Sequence, residues 1–149
     1  MSLELQQREV EGITILDLRG RLVAGAAVDA LRDEVTAIAR EKNQADGARN
    51  VILNLRHVGF IDSSGLGALI ACHTAMTEAG DDLRLLKLSK RSAQLLILTK
   101  LTTVFQIFDD EEAAINSFFP GREVKPFDIL EFVKSQEEQE EDDEQPEPV

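Results

Sequence analysis

The segment from Val51 to Gly67, VILNLRHVGFIDSSGLG, contains the pattern that decides the fold. It opens with four apolar residues interrupted only by Asn54, and the length and β-branched character of this run predict a buried strand from Val51 to Leu55. Gly59 is expected to permit a bend, after which Phe60 and Ile61 return the chain to the core. The segment therefore predicts a strand followed by a turn.

The end of the same segment has the composition of a helix start. Asp62, Ser63 and Ser64 are residue types that cap helices, because their side-chain oxygens accept hydrogen bonds from the unpaired N–H groups of the first turn. Residues expected on a buried face then recur at helical spacing, at Leu66, Leu69, Ile70 and His73. The segment thus predicts exposed hydroxyl groups at a helix N-terminus, where N–H groups and the helix dipole favour negative charge.

The rest of the chain alternates between strand and helix patterns. The expected strands are Leu3 to Gln7, Ile13 to Leu18, Val51 to Leu55, Leu83 to Leu88 and Val104 to Phe108. The expected helices run from about Ala26 to Glu41, from about Ser64 to Glu78, from Ser89 or Ser92 to about Leu101, and from Glu111 to Phe118. This order predicts a small α/β domain: a mixed sheet with an N-terminal hairpin, β-α-β-α repeats and four helices. Partners of such sheets gather where strands end and helices begin, and that edge includes Ser63.

Composition limits the classes of function. The chain has 149 residues, enough for one domain with a hydrophobic core, and a formal net charge of −12. This acidity and the absence of Trp and Tyr argue against nucleic-acid binding. One cysteine and two histidines cannot form an internal disulfide or a Cys/His zinc site, and we find neither a signal peptide nor an apolar run of membrane-spanning length. We therefore expect a cytoplasmic protein without a metal or cofactor.

The negative charge is concentrated near the C-terminus. From Pro120 onward, eleven acidic residues stand against three basic ones, a net charge of −8. Five apolar residues there are expected to form a short amphipathic turn or helix: Phe127, Ile129, Leu130, Phe132 and Val133. Ser135 to Val149 contains eight acidic residues and no basic one, and cannot bury enough apolar surface to offset its chain entropy. We therefore expect a domain over residues 1–119 and a largely disordered acidic extension over residues 120–149.

The DSSG motif at residues 62–65 has three interpretations. It is a capping turn without further role, the nucleophile of a serine hydrolase, or a phosphorylation switch whose acceptor hydroxyl lies at a helix N-terminus. The hydrolase interpretation lacks required elements, because the G-x-S-x-G elbow is missing and only His57 and His73 are available as a base. No further acid is evidently placed to orient His57. His73 falls on the helix face near Leu69, as expected of a partly buried structural residue.

A family resemblance distinguishes among these interpretations. Residues 51–89, VILNLRHVGFIDSSGLGALIACHTAMTEAGDDLRLLKLS, strongly resemble the anti-sigma-factor antagonist branch of the STAS domain family (sulphate transporter and anti-sigma-factor antagonist). The run from Phe60 to Gly67 is the hallmark of that branch, and the resemblance extends from about Leu3 to Phe118. The resemblance therefore covers most of the chain.

The resemblance implies a phosphorylatable binding module without catalytic residues of its own. In that family, the first serine after the aspartate is phosphorylated by an anti-sigma factor that is also a serine kinase, which assigns this role to Ser63. The unphosphorylated antagonist binds the anti-sigma factor and frees the sigma factor, and the phosphorylated form dissociates from the anti-sigma factor. A serine phosphatase then resets the antagonist. ATP belongs to the kinase partner.

The resemblance also implies a partner-binding surface built from two segments. After Gly20-Arg21-Leu22 the family often has an acidic or polar loop residue that helps to form this surface, whereas this chain has Val23, Ala24 and Gly25. The second segment comprises Asp62, Ser63, Ser64, Gly65 and Leu66. The resemblance leaves open the sigma factor concerned and the oligomeric state.

Three alternatives differ from this interpretation. The first is a STAS scaffold in a kinase–phosphatase pathway that does not act on a sigma factor. The second is the soluble part of an anion transporter, and the third is a hydrolase. The lack of a membrane-spanning run argues against the transporter. Ester turnover before and after Ser63→Ala would identify the hydrolase.

Overall fold

A five-stranded sheet forms the centre of the fold in the computed structural model, which describes residues 3–40 and 49–135. The strands are β1 (Glu4–Val10), β2 (Ile13–Leu22), β3 (Asn50–Ile61), β4 (Asp82–Leu86) and β5 (Gln106–Phe108). Their spatial order is the same as their order in the chain. β1 and β2 form the predicted antiparallel hairpin, and the other neighbours are parallel, so the mixed sheet is confirmed.

Helices connect the parallel strands as predicted. They are α1 (Ala26–Arg40), α2 (Ser63–Glu78), α3 (Lys90–Leu98) and α4 (Glu111–Asn116), with a 3-10 turn at Leu101–Thr103 before β5. A further helix, α5, covers residues 129–135, within the segment expected to form a turn or helix. The α/β class and the order of elements are confirmed. The disorder expected for the acidic residues after Ser135 lies outside the described residues.

The sheet buries a separate apolar cluster on each face, because successive side chains of a strand point to opposite faces. The larger cluster lies under α1, α2 and α3 and includes Leu16, Leu18, Leu53, Leu55, Leu31 and Leu69. The smaller cluster lies under α4 and includes Ile13, Ile15, Ile52, Leu86 and Phe108. Helices therefore cover both faces, although the single short helix α4 covers the second face only in part.

β3 is longer than predicted. The turn expected after Leu55 is wrong, because β3 continues to Ile61 and stays paired with β2 through Val58, Phe60 and Ile61. The register shifts between Asp17 and Arg19 and again between Gly20 and Arg21, and each time β3 contains one residue more than β2. The second extra residue is Gly59, and the parallel ladder resumes beyond it. As a result, a single residue, Asp62, separates β3 from α2.

The hydrophobic core includes residues beyond position 119. Val133 in α5 is only 8% exposed and belongs to the larger cluster, and Ile129 and Phe132 pack against that cluster. Burial of apolar side chains of this size contributes roughly 1.5–3 kcal/mol each. The segment that contains α5 is therefore part of the folded core, although it lies in the sequence region expected to form the extension.

Truncation after Ser135 is expected to leave the melting temperature nearly unchanged, because residues 136–149 contain one apolar side chain beside two prolines and eight acids. Truncation after Gly121 is the matched comparison, and it removes Val133 and its neighbours from the core. It should lower the melting temperature by about 5 °C or more. Thermal melts by circular dichroism measure both effects. A drop of more than a few degrees in the shorter truncation would show that the acidic residues contribute to the fold.

Candidate functional site

The two sequence segments assigned to the partner surface lie side by side at the carboxyl ends of β2 and β3. Leu22, the last residue of β2, is paired with Ile61, the last residue of β3. The Asp62 N–H then donates a hydrogen bond to the Leu22 carbonyl oxygen at 3.2 Å. Because the strands are parallel neighbours, the loop at residues 23–25 and the start of α2 leave the sheet together.

The Asp62 carboxylate links these two segments. Asp62 is the N-cap of α2, and its Oδ1 accepts a hydrogen bond from the Gly65 N–H at 2.7 Å. Its Oδ2 accepts from the Ala24 N–H at 3.1 Å. These hydrogen bonds hold the pKa of Asp62 below its usual value, and the one from Gly65 contributes most. One side chain thus caps a helix and fixes the loop that precedes another helix.

Gly65 permits the close approach of α2 to the end of β2. A Cβ atom at this position would lie 2.1 Å from the Leu22 carbonyl oxygen, far inside van der Waals contact. Gly65 is buried, as is Leu66 beside it. Both residues were assigned to the partner surface, and their burial means that they present little surface of their own.

The two serines form the exposed part of this helix start. Ser63 and Ser64 are the first two residues of α2, and both are exposed, as predicted. Ala24 and Gly25 are also exposed, and Val23 is half-buried. The rim of the site therefore consists of two hydroxyl groups and small residues, with the Asp62 carboxylate between them.

The exposed face of α2 continues from Ser63 through Gly67 to Ile70. Ile70 was predicted to be buried, which is wrong, because 36% of it is exposed. Gly67 is exposed, and a Cβ at this position would meet no atom within 4 Å. The steps of four and three residues place these residues on one side of the helix. An apolar side chain and a bare stretch of backbone therefore lie beside Ser63.

The geometry does not assemble a serine hydrolase. His57 lies on the sheet face opposite α2, where it lines a groove with Asp17 and Arg19. His73 lies ten residues along α2 from Ser63, about 15 Å at the helical rise, and packs edge-on against Phe105 at 5.3 Å. The structural role expected for His73 therefore fits its position. Burial raises the pKa of the Cys72 thiol to about 11, so this thiol is a poor nucleophile.

The described residues offer neither a metal site nor a membrane-spanning helix. Among residues 3–40 and 49–135, no group of three or more His, Cys, Asp or Glu side chains is placed to hold a metal ion. Over the same two ranges, every helix is too short or too polar to cross a membrane.

Replacing Gly65 and Gly67 by alanine should have opposite effects on stability. Gly65→Ala should lower the free energy of unfolding by about 2 kcal/mol or more, because its Cβ collides with the Leu22 carbonyl. Gly67→Ala is the control on the same helix, and it should raise that free energy by about 0.5–1 kcal/mol because alanine favours helix and meets no neighbour. Urea unfolding measures both values. Equal effects would contradict the close approach of α2 to β2.

Asp62→Asn should lower stability in a pH-dependent way. The pKa of Asp62 is lowered in the folded protein, so its ionised form contributes stability that is present above the unfolded pKa of about 3.9 and lost as the pH falls through the folded value. Asparagine has one acceptor oxygen and cannot serve both N–H donors. The stability difference between the parent and this variant should therefore be larger at pH 7 than at pH 3. Asp33→Asn, on an exposed part of α1, is the matched control.

Comparison with known proteins agrees with this architecture. The family model of the STAS domain matches residues 4–114. The anti-sigma F factor antagonist of Paenibacillus polymyxa is 24% identical over 115 residues, which are 77% of this chain and 94% of the relative. The anti-sigma-B factor antagonist of Staphylococcus aureus is 30% identical over 67 residues, 45% of this chain and 62% of the relative.

Solved structures share the fold at lower sequence identity. The unphosphorylated form of the anti-sigma factor antagonist SpoIIAA has a TM-score of 0.63 and 22% identity, covering 77% of this chain and 96% of the other. An anti-sigma factor antagonist from Mycobacterium paratuberculosis has a TM-score of 0.65 and 17% identity, covering 77% and 92%. Together with the family match, these likenesses show that the chain belongs to the STAS domain family, and its curated relatives are anti-sigma factor antagonists, regulators rather than enzymes.

Proposed function

We propose that this chain is an anti-sigma-factor antagonist whose unphosphorylated form binds an anti-sigma factor with serine kinase activity and so releases a sigma factor. Phosphorylation of Ser63 by that kinase switches binding off, and a serine phosphatase restores it. The observation that carries the proposal is the exposed Ser63 hydroxyl at the first position of α2, next to a carboxylate that joins the two surface segments. The names of the curated relatives support the antagonist role. The cytoplasm is the proposed location.

The shape of the site suits a partner that packs closely on it. Ala24, Gly25 and Gly67 have small or no side chains, so a partner surface can approach the backbone at these positions. Ile70 adds an exposed apolar group on the same face of α2 as Ser63. Because the Asp62 carboxylate holds the loop and the helix together, little ordering is needed on binding, which favours affinity.

A phosphate on Ser63 should change the stability of the fold only slightly. The helix N-terminus favours an anion by about 0.3–1 kcal/mol, whereas the neighbouring Asp62 carboxylate repels it. These two effects oppose each other, and Ser63 is exposed, so solvent screens both. Phosphorylation must therefore act mainly on partner binding, through the surface that contacts the partner, and only slightly on the stability of the fold.

The effect on binding should be large. A partner that packs on the neutral serine would have to remove water from a phosphate of charge roughly −1.5 to −2 beside a second negative charge. Burial of an unpaired charged group costs several kcal/mol, which corresponds to several orders of magnitude in affinity. The site therefore works as a switch by charge and desolvation and needs no change of fold.

Single-serine variants test the choice of residue. Ser63→Ala should bind the anti-sigma kinase and resist phosphorylation, and Ser63→Asp should bind at least tenfold more weakly than the parent. Ser64→Ala is the matched control, since Ser64 is adjacent and also exposed, and this variant should still be phosphorylated and released. Calorimetric titration of each variant and of the phosphorylated parent against the kinase measures these affinities, with thermal melts alongside.

Equal affinity of the phosphorylated and unphosphorylated protein would rule out the switch. Phosphate on Ser64 in place of Ser63 would move the switch by one residue. The unphosphorylated protein can be used to capture the partner, which is then identified. An anti-sigma factor would support the proposal, and a kinase of another pathway would support the scaffold alternative.

A further inference from the structure

A groove of about 730 Å³ lies on the sheet face opposite α2. α4 covers the apolar part of this face, but residues toward the carboxyl ends of β2 and β3 extend past it. Most of the lining residues are polar, among them Asp17 and Asn54, which are direct neighbours across the β2–β3 pair. The groove is therefore separate from the Ser63 site, although the same two strands lead to both.

Polar residues form the floor at positions where the same strands are otherwise apolar. Two residues earlier on the same face, Ile15 and Ile52 are completely buried. Asp17 accepts hydrogen bonds from Arg8 at 2.7 Å and from the Asn54 side chain at 2.7 Å, and Arg8 also donates to Glu111 at the start of α4. Burial opposes ionisation of Asp17, but these hydrogen bonds outweigh it and lower its pKa. The floor is thus a connected polar network.

Three cations that form no ion pair within the described residues also line the groove. In the described part of the chain, the ion pairs found are those of Arg8 and Arg122, and none involves Arg19, Arg56 or Lys87. All three line the groove, together with His57. Of the three acidic residues that line the groove, Asp17 and Glu111 are bound to Arg8. This leaves three cations against Glu4, a local excess of positive charge that would attract an external anion.

The backbone at Lys87 adds an independent indication. Lys87 follows β4 and has a φ of 57°, a left-handed conformation that is unfavourable for a non-glycine residue. Its N–H donates to the Phe108 carbonyl at 2.8 Å, which fixes this conformation against β5. Glu11 and Lys100 adopt the same conformation in turns, whereas Lys87 directly follows a strand and lines the groove.

We propose that this groove binds a small anion that carries at least two carboxylate or phosphate groups. The three cations lie on or just after three adjacent strands: Arg19 in β2, Arg56 in β3 and Lys87 after β4. They therefore span about 10 Å, and a single anionic group cannot contact all of them. The volume is in the range of small-molecule sites.

Calorimetric titration of the full chain with pyrophosphate and with citrate, at low ionic strength, tests this proposal and separates phosphate from carboxylate recognition. We expect saturable binding of at least one probe in the millimolar range or tighter. Arg19→Gln and Lys87→Gln should each weaken it about tenfold, the loss expected for one charge-assisted hydrogen bond. Arg91→Gln, an exposed cation on α3 outside the groove, is the matched control and should change nothing.

Absence of binding by both probes up to about 10 mM would overturn the proposal. So would equal weakening by Arg91→Gln, since that would show attraction to the surface in general. A synthetic peptide of residues 136–149 is the competing ligand, and tighter binding of this peptide than of either probe would reassign the groove to an acidic polypeptide. Thermal melts check that each variant is folded.

Discussion

The candidate site depends on the two hydrogen bonds that the Asp62 carboxylate accepts. One oxygen caps α2 through Gly65, and the other holds Ala24 in the loop before α1. Both contacts require α2 to start close to the end of β2, and only glycine at position 65 leaves room for this. The paired ends of β2 and β3 bring the segments together, and the carboxylate fixes their relative position. A surface formed from distant parts of the sequence is thereby prepared before any partner arrives.

In this arrangement Asp62 does more than repel a phosphate on the adjacent Ser63. Its oxygens are engaged by backbone donors, so its first contribution is structural, and its charge acts on Ser63 from a fixed position. A phosphoryl group on Ser63 would then be added to a rigid surface that already carries one negative charge. The proposed switch follows from this: the fold tolerates the added charge, whereas an interface that must exclude water does not.

Much of the fold could be predicted from local sequence patterns. Apolar periodicity located the helices, and the DSSG motif located the start of α2 within one residue. The length of β3 could not be read locally, because Gly59 is a turn signal that the strand accommodates as an extra residue opposite β2. The contact between Asp62 and Ala24 joins residues 38 positions apart, and only the family resemblance indicated that loop. The groove was missed because Asp17, Asn54 and Lys87 lie on separate elements and form no motif.

Titration of backbone amides by ¹H–¹⁵N NMR between pH 2 and pH 6 tests the central claim most directly. If one carboxylate accepts from both donors, the amide signals of Ala24 and Gly65 should shift together, with one midpoint below about 3.9. Both shifts should disappear in Asp62→Asn. An Ala24 amide that does not respond, or that titrates with a different midpoint from Gly65, would contradict the account of a single side chain that joins the two segments.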